Sequence, residues 1–90
     1  MSMNENKIYV RVVVEFDKDG FMYPRVIKWP DGHQYEIDRV MDVKHAHAEK
    51  AGGVGERFTV RVRGRERYLF YERTGEMMGN HTGRWFVERA

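Results

Sequence analysis

The chain has 90 residues, with 16 Lys plus Arg against 14 Asp plus Glu, two prolines and no cysteine. A domain of this length buries about 60% of the surface its unfolded chain exposes, enough for one core but not for a second domain or a large catalytic cleft. Lack of cysteine excludes disulfides, thiolate nucleophiles and cysteine-ligated zinc, while 41% hydrophobic and 13% aromatic residues among interspersed charges describe a folded chain.

The first six residues are polar, and no apolar run approaches the ~18 to 20 residues that span a bilayer. These features lead to the expectation of a cytoplasmic protein with no membrane association, a disordered tail over 1–6 and a single domain over 7–90. Along the chain, residues 7–16 alternate with Ile8, Val10, Val12, Val14 and Phe16 on one side, the period of a half-buried strand. Val13 makes the other side apolar locally, as in a strand that is central or covered. Asp17-Lys18-Asp19-Gly20 then reads as a type I turn with a left-handed Gly, and so as a hairpin.

A second run, Phe21 to Trp29, carries Phe21, Tyr23, Ile27 and Trp29 on one face, with Pro24 in its middle. Proline cannot donate to a ladder, so this strand is expected at an edge or a bulge. Pro30-Asp31-Gly32 repeats the turn chemistry, and Gln34 to Val43 returns with Tyr35, Ile37, Met41 and Val43 expected inward. Periodicity stops between Lys44 and Glu56, where His45 to Ala51 suggests a loop with a helical turn ended by Gly52 and Gly53. Phe58, Val60 and Val62 resume strand alternation, Gly64-Arg65 is expected to form the tight turn, and Arg67 to Arg73 returns. Thr74 to Gly83 reads as a linker and Arg84 to Glu88 as the last strand. The fold class expected is all-β, a small antiparallel barrel or strongly bent sheet of about six strands, SH3-like.

Several strings, among them Trp29-Pro30-Asp31-Gly32, Tyr35-Glu36-Ile37-Asp38, Gly52-Gly53-Val54-Gly55, Tyr68-Leu69-Phe70-Tyr71-Glu72 and Arg84-Trp85-Phe86-Val87-Glu88, together resemble a family of short uncharacterised bacterial proteins. The resemblance covers most of the chain from the second run onward. It implies a small all-β domain with no known activity, since its motifs are packing and turn signatures. His45, His47 and the segment 74–83 with Met77 and Met78 depart from the pattern.

Charge is the most specific signal. Residues 57–67 hold Arg57, Arg61, Arg63, Arg65 and Arg67 against Glu66 alone, five positive to one negative, so this segment carries +4 and the rest of the chain −2. On a strand, Arg57, Thr59, Arg61 and Arg63 leave one side while Phe58, Val60 and Val62 leave the other, which points to a basic stripe able to follow phosphates. Aromatic stacking beside such a stripe is a common mode of single-strand binding, and Tyr71 is the expected stacking residue, with Tyr68 and Phe70 assigned to the core. The competing reading makes these arginines a solvated face neutralised by Glu66, Glu72, Glu76 and Glu88.

Other constellations are weaker. His45 and His47 with His33, His81 or Asp42 supply ligand types for a metal but no specific spacing, and Gly52 to Gly55 lacks the helix start and Gly-Lys-Ser/Thr of a phosphate loop. Ser2 is the only serine. We therefore expect no catalysis, cofactor, metal or small-molecule substrate, but a binding module for RNA or single-stranded DNA. The alternative is a protein–protein module or homodimer that uses an outer aromatic face of Trp85 or Phe86 with Tyr9 and Val13.

Overall fold

A computed structural model describes residues 6–48 and 53–89. They form seven antiparallel strands: β1 (Lys7–Phe16), β2 (Met22–Lys28), β3 (Gln34–Glu36), β4 (Arg39–Ala48), β5 (Gly53–Val62), β6 (Arg65–Met78) and β7 (His81–Glu88). The spatial order is β3-β2-β1-β7-β6-β5-β4. The all-β expectation is thus met, and none of the described residues is helical, so no helix long and apolar enough to cross a membrane occurs among them. Of the tail expected over 1–6, residues 1–5 lie outside the described residues, and the Asn6 carbonyl accepts the Arg89 N–H.

Seven strands appear where six runs were read because the third run breaks at a corner. β3 pairs with β2, then Ile37 N–H donates to the Arg25 carbonyl of β2 while Asp38 N–H donates to the Arg61 carbonyl of β5. Two adjacent residues therefore touch strands from opposite parts of the sheet, and the sheet curls into a half-barrel. Curling lets the inward side chains of distant strands meet in one core, where Val10, Ile27, Ile37, Phe58, Val60, Leu69 and Tyr71 are buried.

Local chemistry explains the reversals. Gly20, at φ 88°, donates its N–H to the Asp17 carbonyl, and the Asp17 carboxylate accepts the N–H groups of Asp19 and Phe21. Gly32, at φ 97°, closes the second turn on Trp29. Pro24 lies beside a register break, since Val13 faces Val26 but Val14 faces Pro24, which leaves Arg25 as the extra residue of a bulge. The bulge shifts the phase of the run expected on one face, so Ile27 is buried while Phe21 and Tyr23 are exposed.

Four further expectations need correction. His45 to Ala48 form no helical turn but continue β4, opposite Glu56, Gly55, Val54 and Gly53 of β5; residues 49–52 lie outside the described residues. β4 is an edge strand, and the backbone groups it turns toward β5 find ladder partners there, which adds more than an isolated helical turn could supply. Thr74 to Gly83 is no linker, because β6 runs to Met78, β7 begins at His81, and Met78 faces His81. The tight turn sits at Arg63-Gly64, with φ values of 52° and 78° and Val62 facing Arg65. Two successive positive φ values match the twist of the flanking strands. Finally, an extra residue between Val40 and Asp42 shifts the phase of β4, so Val40 packs on the core while Met41 and Val43 are exposed.

Gly55 and Gly83 flank Tyr71 from the two neighbouring strands. A Cβ on Gly55 would lie 1.9 Å from the Tyr71 carbonyl oxygen, and one on Gly83 would lie 2.7 Å from Cζ of the Tyr71 ring. Gly55→Ala should therefore destabilise the protein by about 2–3 kcal/mol, the upper range for overpacking. Urea unfolding followed by tryptophan fluorescence checks this, and an unchanged midpoint would contradict the close approach.

Candidate nucleic-acid interface

The β5–β6 hairpin places the arginines. Arg57, Thr59 and Arg61 leave the convex side of β5, opposite in phase to the buried Phe58 and Val60. Arg63 occupies the turn, and Arg65 and Arg67 share the inward phase of Leu69 and Tyr71 but project at the open end of the half-barrel, where they are exposed. The single stripe expected on one face is thus divided over both faces of the hairpin tip. Among the described residues none of these five arginines forms an ion pair, whereas Glu72, one of the glutamates expected to neutralise them, is bound by Lys7 and Arg84.

Tyr71 is not available for stacking. It is 6% exposed, its hydroxyl is hydrogen-bonded to the Thr82 hydroxyl, and Trp85 packs 4.8 Å from its ring centroid. The phase is opposite to the one expected: Leu69 and Tyr71 face inward with Phe58 and Val60, and Tyr68 is 53% exposed. A two-residue turn ties the faces of its strands together, so inward Phe58 opposite Leu69 requires Tyr68 and Phe70 to face outward. The Arg57 guanidinium lies 4.5 Å over the Tyr68 ring, and its Nε is buried without an acceptor among the described residues.

Beside the hairpin tip the sheet splits. The registered pairs of β6 with β7 stop at Phe70 opposite Phe86, and residues 65–69 pair with β5 only. β7 instead follows β1, with Val87 opposite Ile8 and Glu88 opposite Lys7. A cleft of about 910 Å³ opens where they part, lined by Arg65, Arg67 and Tyr68 of β6, by Trp29 and Tyr35 with Arg63 against the Tyr35 ring, and by the carboxylates Glu66 and Glu88. Nothing in the local sequence marks Trp29 or Tyr35 as cleft residues. The Trp-Pro-Asp-Gly turn holds Trp29 in place through hydrogen bonds with His33 and Gly32.

The outer aromatic face exists in altered form. Trp85 points inward, while Tyr9, Phe86, Phe70 and Tyr68 form an edge-to-face and stacked series across β1, β7 and β6. Cations cover these rings: Lys7 Nζ lies 4.7 Å from the Phe86 centroid and the Arg84 guanidinium 4.2 Å from that of Tyr9. Phe86 is consequently only 7% exposed, and Val13 lies beyond the stretch of β1 that pairs with β7.

Glu72 anchors this covering. Its carboxylate accepts from Lys7 Nζ at 2.8 Å, the Tyr9 hydroxyl at 3.0 Å and Arg84 at 3.2 Å. Burial pushes its pKa up, but hydrogen bonds from Lys7 and Tyr9 and the charges of Lys7 and Arg84 outweigh burial and hold it below the usual carboxylate value. The Tyr9 phenol is pushed up, first by burial and then by its bond to Glu72. Comparison with protein-family models, curated proteins and solved structures finds no match for this chain.

A carboxylate whose pKa is lowered on folding stabilises the protein above its unfolded pKa, about 4.3, and loses that contribution as pH falls through the folded value. Glu72→Gln should lower stability at pH 7 and flatten its decline between pH 5 and 3. Denaturant midpoints across that range check this, and parallel declines in parent and variant would contradict it.

Proposed function

We propose that this protein is a non-catalytic module that binds single-stranded RNA or DNA at the tip of its β5–β6 hairpin. The observation that carries the reading is the cleft, which Arg63, Arg65 and Arg67, without ion pairs among the described residues, line together with Trp29, Tyr35 and Tyr68, while Arg57 and Arg61 add positive charge on the convex side of the same hairpin. Unpaired guanidinium groups lose no existing partner when they meet phosphate, and each phosphate neutralised releases counterions. Aromatic rings next to them offer stacking surfaces that tolerate any base. Tyr68 takes the stacking role first given to Tyr71, with Arg57 over its ring.

Contacts to three to five phosphates give a slope of log affinity against log salt of about −2 to −3.5 for a single strand. Fluorescence anisotropy with labelled oligonucleotides of about ten residues measures it. Arg65→Glu with Arg67→Glu should weaken binding at least on the order of tenfold, since both side chains are exposed and their loss leaves the core intact. Affinity independent of salt, or unchanged in the double variant, would overturn the reading.

A further inference from the structure

Unlike charge alone, the two walls of the cleft differ in chemistry. Trp29 stands edge-on to Tyr35, with ring centroids 6.3 Å apart at 90°, and the Arg63 guanidinium lies 5.2 Å from the Tyr35 ring. Hydrogen bonds from Trp29 N–H to the His33 carbonyl and from Gly32 N–H to the Trp29 carbonyl fix the turn, and Tyr35 is held in β3 opposite Ile27. This wall is therefore set before any ligand arrives. Across the cleft stand Arg65 and Arg67, exposed and without ion pairs among the described residues, with Glu66 and Glu88 also in the lining and Ile27, Val62 and Val87 making an apolar floor between the walls. A ligand that satisfies both walls needs a flat ring joined to an anion. The cleft's volume of about 910 Å³ falls within the range of small-molecule sites.

We infer that the cleft is a nucleotide site, in which one base lies on the Trp29–Tyr35 wall and its phosphate meets Arg65 and Arg67. This rests on the single-strand reading and narrows it, since recognition then takes place one nucleotide at a time at a defined position. The nucleotide is either free or an unpaired residue of a strand, because both present the same base and phosphate.

The test uses the isotope-labelled full chain with three probes: adenosine 5′-monophosphate, ribose 5-phosphate, which lacks the base, and an oligoadenylate. Adenosine monophosphate should shift the Trp29 indole N–H and the Arg65 and Arg67 side-chain signals. Ribose 5-phosphate should bind more weakly, on the order of tenfold, and leave Trp29 unmoved. Trp29→Leu should reduce adenosine monophosphate binding to the ribose 5-phosphate level, while Trp29→Phe should retain most of it. Equal affinity for the two small probes in the parent protein, a comparison that needs no variant, would overturn the inference. An oligoadenylate that still bound in a salt-dependent way would then leave the arginine reading standing, whereas loss of all binding would remove both. Tighter binding of the oligoadenylate, lost in a fully abasic strand of the same length, assigns the site to a strand; tighter binding of adenosine monophosphate assigns it to the free nucleotide.

Discussion

The register of the β5–β6 hairpin is the constraint from which the other features follow. Two residues with positive φ, Arg63 and Gly64, bring Val62 opposite Arg65 and so set Val60 opposite Arg67 and Phe58 opposite Leu69. A slip of one residue would turn every side chain of β6 to the other face. Leu69 and Tyr71 would leave the core, and Tyr68 would enter it. The same register brings Gly55 against the Tyr71 backbone, where a side chain has no room.

Curling and splitting are two results of one geometry. Ile37 and Asp38 tie β2 to β5 at a corner, and this draws the inward faces of the strands together over the core. β7 cannot follow both β1 and β6 along their whole lengths in so small a curled sheet, and it stays with β1 after Phe86. The hairpin tip is left with one free edge, beside which the cleft lies. Its arginines lie where the sheet no longer needs apolar contact, so charge there costs the core nothing. On the convex side the need for cover returns, and Lys7, Arg84 and Glu72 shield an aromatic series that would otherwise be an adhesive patch.

Much of this was legible in the chain. The strands read in 7–16 and 57–62, the Asp-Lys-Asp-Gly and Pro-Asp-Gly turns and the bulge at Pro24 follow from local rules, and the structure agrees with them, except that Phe16 at the end of β1 is exposed. Local rules failed where pairing decided the outcome. His45 to Ala48 has an Ala-rich composition that suits a helical turn, yet a partner strand across from it makes it extended. Tyr68-Leu69-Phe70-Tyr71 is apolar in both phases, so alternation alone could not say which pair faces inward; the two-residue turn and the inward Phe58 do. The arginine cluster was visible as charge, but the split that places Trp29 and Tyr35 across from it joins residues some thirty positions away and has no local signature.

Cross-strand nuclear Overhauser contacts between backbone protons of β5 and β6 test the register most directly. The expected contacts join Phe58 with Leu69, Val60 with Arg67 and Arg61 with Glu66. Contacts displaced by one residue, with Phe58 facing Tyr68 or Phe70, would contradict it and remove the basis for the exposed Tyr68, the buried Tyr71 and the arginine-lined cleft together.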